Sequence, residues 1–296
     1  MKHITVKILL IVCLLIPSVI LCNKDTDVVL EKKVSFFQPI IDSLNLYKAD
    51  TNFIRSILTR NFIAFDEKYC QINVLGTAKK ANYTSQYNAE AVEKTKEFLT
   101  DCDVQLAEAE ALYGVPKEII AALLYVETRH GNYLGNHRII NVYLSLAMVN
   151  QPEYISKNFD NLVEHFSGTP EELKEYQDKL TKRTETKAAW AVQQLVAMSK
   201  IYKKGVDVFE IRGSWAGAFG ISQFIPDSYN RWAVDGNGDG VIDLFDVNDA
   251  IFSVANYLKT NGWGNSPEKQ KAALFHYNHS NDYVNAILTL AEKSKL

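Results

Sequence analysis

The chain has 296 residues, of which 47% are hydrophobic and 23% are charged, and its formal net charge is −3. A chain of this length buries a large core as one domain or as two closely packed ones. The sequence contains no basic stripe and no interleaving of aromatic and basic residues, so nucleic acid is excluded as a partner. A mildly acidic protein also gains no long-range attraction to an anionic polymer. Any substrate must therefore be held by local contacts.

The N-terminus has the order of an export signal. Basic and polar residues come first, an apolar run extends from Ile8 to Cys22, and polar residues follow. The run is too short for a comfortable membrane span, and Pro17 near its end favours a processed signal. Residues 1–22 are therefore predicted to be a signal peptide, and the protein is expected in the periplasm or cell envelope. Their removal takes away Lys2 and Lys7, which changes the net charge from −3 to −5.

Cys22 leaves two processing routes open. A cysteine directly after the apolar run suits lipid modification, which would attach the protein to a membrane, but Leu21 departs from the small residue usual at that position. Ordinary cleavage near Cys22 is the alternative. If the cut falls there, Cys70 and Cys102 remain, and they form either one disulfide or two buried thiols. The cysteine spacing does not fit a zinc site.

Hydrophobic periodicity predicts a mainly helical chain with few strands. We expect an N-terminal helical region, residues 23–100, packed on a core, residues 101–296. Between the helices, residues 70–86 read as irregular and residues 150–187 as a polar surface excursion of short helices. The remaining predicted helices span residues 36–46, 52–65, 89–113, 116–130, 141–149 and 188–202.

One carboxylate stands out on the helix predicted at 116–130. The helix is apolar on all sides, with Pro116 at its start and Gly131 as a C-terminal cap, so it should be buried. Glu127 near its C-terminal end would experience both desolvation and the negative pole of the helix, and both raise its pKa. Such a group suits general-acid catalysis. The alternative is a structural ion pair with Arg129 or Arg138.

A second motif, RGSWAGAFGISQFIPDSY, begins at Arg212. Small residues cluster between Gly213 and Gly220, which indicates close approach of the backbone. Ser214, Gln223 and Phe224 offer a hydroxyl, an amide and a ring, a lining suited to a polar neutral ligand such as a sugar. A tight helix crossing that needs small residues is the alternative.

A third motif, Asp235 to Asp246, follows the pattern of an EF-hand loop. Gly240 lies at the sharp turn, and residues 226–233 and 247–260 are predicted as the entering and exiting helices. The loop departs from the usual EF-hand pattern at its last position, where it has an aspartate in place of glutamate. A single loop in an exported chain favours a structural Ca²⁺ site over a calcium-sensing one. The alternative is a solvated acidic turn that binds no ion. No organic cofactor is expected. The predicted ligands are Asp235, Asn237, Asp239, the Val241 carbonyl, Asp243 and Asp246.

Four motifs in order resemble the membrane-bound lytic murein transglycosylase B family: YGVPKEIIAALLYVETRHG, GSWAGAFGISQFIPDSY, SVANYLKTNGW and YNHSNDY. The likeness covers roughly residues 89–290. It implies a lysozyme-like, mostly helical core that cleaves the bond between N-acetylmuramic acid and N-acetylglucosamine in peptidoglycan and leaves 1,6-anhydromuramyl ends. Peptidoglycan glycan strands are thus the expected partner, and a monomer is expected.

The resemblance also implies roles for individual residues. Glu127 matches the family's catalytic acid/base, and seven residues match positions that hold the sugars: Ser214, Gln223, Phe224, Tyr257, Tyr277, Asn278 and Tyr283. His130 stands where the family usually has Trp or Tyr, and residues 150–187 form a longer excursion than expected. No second acidic residue occurs in these motifs, whereas a retaining lysozyme needs two. One carboxyl group acting first as acid and then as base fits better. A hydrolytic muramidase and a non-catalytic wall-binding protein are the competing interpretations.

Overall fold

The computed structural model describes residues 24–76 and 83–295. The chain divides into two compact units, residues 1–38 and 39–296. The predicted signal peptide and Cys22 lie outside the described residues. None of the helices in the described part is long and apolar enough to cross a membrane.

The second unit consists mainly of helices, which confirms the prediction of a mainly helical chain. Two short 3₁₀ helices, Glu67–Cys70 and Thr84–Tyr87, precede most of them. The α-helices described are α1 (Lys24–Leu46), α2 (Thr51–Thr59), α3 (Ala89–Asp101), α4 (Asp103–Tyr113), α5 (Lys117–Thr128), α6 (Ile139–Ala147), α7 (Pro152–His165), α8 (Pro170–Lys203), α9 (Pro226–Trp232), α10 (Val247–Thr260), α11 (Pro267–Tyr277) and α12 (Asn281–Lys293).

The two strands of the described chain are β1 (His137–Arg138) and β2 (Arg212–Gly213). They pair antiparallel, with His137 opposite Gly213 and Arg138 opposite Arg212. Single bridges extend the pairing from Gly213 to Phe219 and from Phe219 to Phe224. The segment after α5 and the glycine-rich segment are therefore joined edge to edge.

Helix α5 lies at the centre of the second unit, as its sequence predicts. Its residues from Ile119 to Tyr125 are all buried. It packs against α12, α3, α4 and α10, while α6 packs along α8. A helix covered by neighbours on several sides needs apolar residues all round its surface, which explains its uniform composition.

The predicted excursion of short helices at 150–187 is wrong in its second half. Residues 170–203 form one helix of 34 residues, about 50 Å long at the standard rise. Thr169 and Glu172 form a capping box at its start, and Pro170 occupies the first turn. Nothing within it breaks the helix, and Lys179 pairs with Glu175 one turn away. Its polar first half lies on the surface, which is why it lacks an apolar stripe.

Cys70 and Cys102 are both free thiols. Cys70 is buried and its Sγ donates to the Ser145 carbonyl at 3.2 Å. Cys102 lies at the break between α3 and α4, a break that the prediction of one helix over 89–113 did not include. The predicted disulfide is therefore absent, and of the two thiols only Cys70 is buried, while Cys102 is half-buried.

Candidate active site

Glu127 lies in the last turn of α5. The helix ends at Thr128, two residues earlier than predicted, because three residues in succession adopt left-handed backbone conformations. These are Arg129 (φ 50°), His130 (φ 55°) and Gly131 (φ 94°). Two adjacent non-glycine residues in this region cost free energy, and such strain persists where the surrounding structure enforces it. The strained turn fixes the direction in which the chain leaves the helix beside Glu127.

The environment of the Glu127 carboxyl group favours its neutral form. Desolvation raises the pKa of Glu127 from its ordinary value of 4.5 to about 7, and a hydrogen bond from Tyr283 partly opposes that shift. The Tyr283 hydroxyl donates to Oε1 at 2.5 Å. Burial is therefore the dominant cause, as the sequence predicts, and the tyrosine is a partner that the sequence did not indicate.

Neither arginine proposed as an ion-pair partner is paired with Glu127. The Arg129 guanidinium lies over the Tyr133 ring, 4.6 Å from its centroid. Arg138 donates to the Phe209 carbonyl at 2.5 Å and to Glu210 at 3.1 Å. The structural ion-pair interpretation of Glu127 is therefore wrong in this structure.

Four of the predicted sugar-binding residues form one aromatic cluster beside Glu127. Tyr283 stacks on Tyr277 with the ring centroids 6.4 Å apart, and Tyr257 meets Tyr277 edge-on at 4.6 Å. Phe224 contacts both Tyr257 and Tyr277. The rings of Phe224, Tyr257 and Tyr283 are buried, while Tyr277 is half-buried. The Tyr277 hydroxyl donates to the Ser222 carbonyl, which ties the cluster to the glycine-rich segment.

Tyr83 is a neighbour of this aromatic cluster that the sequence did not single out. Its ring meets Tyr283 edge-on at 5.9 Å, and its hydroxyl group is hydrogen-bonded to Asn278. Burial raises the pKa of Tyr83, and the nearby charge of Glu127 raises it further. Tyr83 lies in the stretch 70–86 that reads as irregular, where no periodic pattern marks it.

The glycine-rich segment forms a wall next to α5. A Cβ atom on Gly213 would overlap the Ala218 carbonyl, and one on Gly217 would overlap the Tyr143 hydroxyl. Ser214 and Gln223 lie in this wall, half-buried. The Ser214 Oγ accepts from the Ala218 N–H at 3.1 Å, and the Gln223 amide donates to the Gly220 carbonyl at 2.9 Å. Close backbone approach thus explains the small residues, and the two polar side chains support the turns of the wall.

Thr128 joins α5 to that wall. Its hydroxyl donates to the Ile221 carbonyl at 2.8 Å and accepts from the Gly131 N–H at 3.0 Å. The Ile221 N–H in turn donates to the Leu244 carbonyl at 2.8 Å. The residue next to Glu127 is therefore linked through Ile221 to the acidic loop, a connection that sequence alone did not reveal.

His130 packs as an aromatic residue. Its ring lies flat on Phe98, with the centroids 3.9 Å apart, and its Nε2 atom lies 2.9 Å from the Ala121 carbonyl. Burial lowers the pKa of His130 to about 4, so the ring is neutral at physiological pH. A neutral imidazole can replace the Trp or Tyr expected at this position without placing a charge in the core.

Comparison with known proteins identifies the family of this chain. Residues 76–274, more than half of the chain, match the family model described as the Transglycosylase SLT domain. The chain belongs to this family. Over 180 residues it is 36% identical to the membrane-bound lytic murein transglycosylase B of Escherichia coli, in an alignment that covers 57% of this chain and 41% of the relative. The resemblance inferred from the four motifs is confirmed, and the chain spans less than half of that relative's length.

Solved structures share the fold of this SLT domain protein. The E. coli lytic transglycosylase Slt35 in complex with calcium superposes with a TM-score of 0.63 at 22% identity, covering 87% of this chain and 92% of that one. SltB3 of Pseudomonas aeruginosa in complex with NAG-anhNAM-pentapeptide gives 0.65 at 20% identity, covering 88% and 78%. At these identities the likeness shows the fold, which confirms the lysozyme-like helical core.

The acidic loop of this SLT domain protein turns its oxygens toward its own backbone. Asp235 accepts from the N–H groups of Gly238, Asp239 and Gly240, and the Asp239 carboxylate accepts from Val241. Gly238 and Gly240 have left-handed φ angles of 75° and 88°. Among the described residues, no three His, Cys, Asp or Glu side chains converge as a metal site.

Two further aspartates close the end of the loop. Asp246 caps α10, with Oδ1 accepting from the N–H groups of Asn248 and Asp249. Asp249 is fully buried beneath the loop, where its two oxygens accept from Gly236 at 2.7 Å and Asp243 at 2.6 Å. Burial raises the pKa of Asp249, although these hydrogen bonds oppose the shift. The sequence pattern did not single out Asp249, because it lies beyond the twelve-residue loop.

Proposed function

We propose that this protein is a peptidoglycan lytic transglycosylase that cleaves the MurNAc–GlcNAc β-1,4 bond and forms 1,6-anhydromuramyl ends. The observation that carries the proposal is Glu127, a carboxyl group with a pKa of about 7 in a desolvated site lined by aromatic residues. Family membership and the 36% identity to a named lytic transglycosylase support the same activity.

In the first step Glu127 acts as a general acid. A group with a pKa near 7 is protonated in a substantial fraction of molecules at neutral pH and still transfers its proton readily. Tyr283 donates to Oε1, so the proton to be transferred resides on Oε2 and passes from there to the glycosidic oxygen. The Tyr283 hydrogen bond then stabilises the carboxylate that remains, because donors favour the charged form of an acid.

In the second step the same group acts as a base. The 2-acetamido group of the substrate stabilises the cationic carbon, and the Glu127 carboxylate removes the proton from the C6 hydroxyl, which closes the anhydro ring. The pKa of Glu127 is set by desolvation and by Tyr283, and no neighbouring carboxylate of the described chain contributes to it. The proposed mechanism therefore uses no second carboxylate as a nucleophile, unlike that of retaining lysozymes.

The predicted sugar-binding residues divide into two groups by burial. Tyr277, Asn278, Ser214 and Gln223 are half-buried. We propose that Tyr277 contacts the glycan through its ring and that the other three contact it through their polar groups. Phe224, Tyr257 and Tyr283 are buried, and we propose that they hold the side chains of Tyr277 and Glu127 in place. Rigid support of this kind keeps the acid and the bound sugar in fixed relation.

The test is the analysis of products from purified peptidoglycan digested by the wild type and by Glu127→Gln. A lytic transglycosylase yields ends one water lighter than a muramidase does, and the glutamine variant should be at least a hundredfold slower. Hydrated ends would establish the muramidase alternative. Equal binding by the two proteins, with neither releasing product, would establish a non-catalytic wall-binding protein.

We also propose that the loop at 235–246 binds a structural Ca²⁺. Its donors are carboxylate, amide and carbonyl oxygens, which calcium prefers, and its two left-handed glycines allow the tight turn. Asp235, Asn237, Asp239, the Val241 carbonyl, Asp243 and Asp246 would hold the ion, which would supply charge balance and rigidity and no chemistry. The E. coli Slt35 structure is a complex with calcium, which supports the assignment.

The proposed location is the cell envelope, reached by an export signal at 1–22. Peptidoglycan is there, and the named E. coli relative is membrane-bound. Mass spectrometry of the mature N-terminus distinguishes a lipid-modified Cys22 from ordinary cleavage near it.

A further inference from the structure

Trp215 is the most exposed aromatic residue of the described chain. The sequence contains four tryptophans, all within the described residues, and the other three are buried or half-buried. The Trp215 side chain is 72% exposed, on the wall segment between Ser214 and Gly217. Leaving an indole in water forgoes the hydrophobic stabilisation that burying it would provide.

The turn that presents Trp215 is rigidly held. The Gly217 N–H donates to the Ser214 carbonyl at 3.1 Å, and the Ser214 N–H donates to the Ala218 carbonyl at 2.8 Å. From beneath, the buried Tyr143 hydroxyl donates to the Gly217 carbonyl at 2.9 Å. A bulky ring exposed on a turn braced in this way is pre-organised, which lowers the entropic cost of binding.

A second exposed aromatic stands on the segment that contacts the wall at Gly213. Tyr133, 64% exposed, precedes Gly135 by two residues, just as Trp215 follows Gly213 by two. Gly135 and Gly213 are in close backbone contact, since a Cβ atom on Gly135 would overlap the Gly213 carbonyl. Two residues of chain span at most about 7 Å, so the backbone of each ring's residue lies within about 7 Å of this contact between the two segments.

Unpaired basic groups accompany these two rings. Arg129 lies over the Tyr133 ring, and Arg212 donates to the Asn136 carbonyl and side chain at 3.1 and 3.0 Å. In the part of the chain that the structure describes, neither arginine is paired with a carboxylate. We name Arg129, Tyr133, Arg212 and Trp215 the rim patch. It is basic on a protein whose net charge is negative.

We propose that the rim patch is an outer subsite for the glycan strand, in which a pyranose ring stacks on Trp215 and muramyl carboxylates pair with Arg212. The inference rests on the proposed function, which supplies a glycan strand in the adjoining groove, and this strand carries free muramyl carboxylates where its stem peptides have been removed. Aromatic faces bind the apolar faces of sugar rings, and guanidinium groups bind carboxylates. The patch would increase the affinity for long strands and would leave the chemistry at Glu127 unchanged.

The test measures binding in the Glu127→Gln background, where no turnover occurs. The two ligands are neutral chitohexaose and glycan strands freed of stem peptides, which carry muramyl carboxylates. Trp215→Ala should weaken both about tenfold, Trp215→Phe should restore most of the affinity, and Arg212→Gln should weaken only the anionic strand. Tyr47→Ala, an exposed aromatic of the α1–α2 turn, is the matched control and should bind as the parent does.

Tryptophan fluorescence provides an independent readout. Acrylamide should quench the exposed Trp215 strongly, and saturating glycan should protect it; both effects should disappear in Trp215→Phe. This readout decides the matter even if the alanine variant does not fold. Unchanged quenching and affinity in a protein whose wild type cleaves peptidoglycan would overturn the subsite alone. A wild type that neither binds nor cleaves peptidoglycan would overturn the proposed function.

Discussion

Tyr283 on helix α12 donates a hydrogen bond of 2.5 Å to Oε1 of Glu127 on helix α5, across 156 positions of sequence. The bond partly opposes the rise in the pKa of Glu127 that burial causes, and the resulting pKa is about 7. It therefore sets both the orientation of the acid and the pH at which the acid loses its proton.

Tyr283→Phe tests this relationship. Without the hydroxyl donor the charged form of Glu127 loses stabilisation, so its pKa should rise, and the alkaline limb of the activity profile should move to higher pH. At pH 6 the activity should fall at least tenfold, because the carboxyl group also loses its orientation. The measurement is the rate of peptidoglycan solubilisation between pH 4 and 9. An alkaline limb at lower pH than in the wild type would contradict the assigned role.

Glu127→Gln should stabilise the fold at alkaline pH. The folded pKa of Glu127 is about 7 and its ordinary value is 4.5, so ionisation opposes folding, and the wild type loses stability as the pH rises from 4.5 to 7. Above pH 7 the variant should be more stable by on the order of 3 kcal/mol, and at pH 4 the two should be similar. Urea unfolding at pH 4 and pH 8 measures the difference. Glu185→Gln, on an exposed part of α8, is the control and should change stability by less than about 0.5 kcal/mol.

Thr128→Val should weaken the joint between α5 and the wall. Valine has the shape of threonine but leaves the Ile221 carbonyl and the Gly131 N–H without their buried partner, which should cost about 1 to 3 kcal/mol. Thr128→Ser retains the hydroxyl and should lose less. Urea unfolding of the three proteins provides the comparison, and a valine variant as stable as the serine variant would show that these hydrogen bonds do not matter.

Gly217→Ala should destabilise the protein more than Gly114→Ala. Both glycines have positive φ, 95° and 68°, but a Cβ atom at 217 would overlap the Tyr143 hydroxyl, whereas at 114 nothing lies within 4 Å. Backbone strain should cost about 1 kcal/mol at either position, and the overlap should add about 2 kcal/mol at 217. Equal unfolding free energies for the two variants would mean that the wall is not tightly packed there.

Calcium should raise the melting temperature of the wild type. An ion at a hundred times its dissociation constant adds about 2.7 kcal/mol to folding stability. Asp235→Asn combined with Asp239→Asn should remove the response, while Asp101→Asn on the exposed end of α3 should leave it intact. Through Leu244, Ile221 and Thr128 the loop adjoins Glu127, so chelation should also lower activity. An unchanged melting temperature with EDTA and with added calcium would refute the site.

The sequence by itself determined the helical class, the buried helix that carries Glu127, the glycine-rich wall and the family, because these depend on local composition and on motifs within short stretches. It also identified the four residues of the aromatic cluster beside Glu127, namely Phe224, Tyr257, Tyr277 and Tyr283, but only through the family resemblance. The length of α8 was predicted incorrectly, since a polar surface helix has no apolar stripe to distinguish it from short helices joined by loops.

Only the tertiary structure decided which groups surround Glu127. Tyr283, far along the chain from Glu127, donates to it, and Tyr83 contacts Tyr283. Asp249 lies beneath the acidic loop although it falls outside that loop's motif. Such contacts depend on how the 3₁₀ helix Thr84–Tyr87 and helices α5, α10 and α12 pack together, and no local pattern records that packing. The raised pKa of Glu127 follows from burial, which the helix composition indicated, but its Tyr283 partner follows from packing alone.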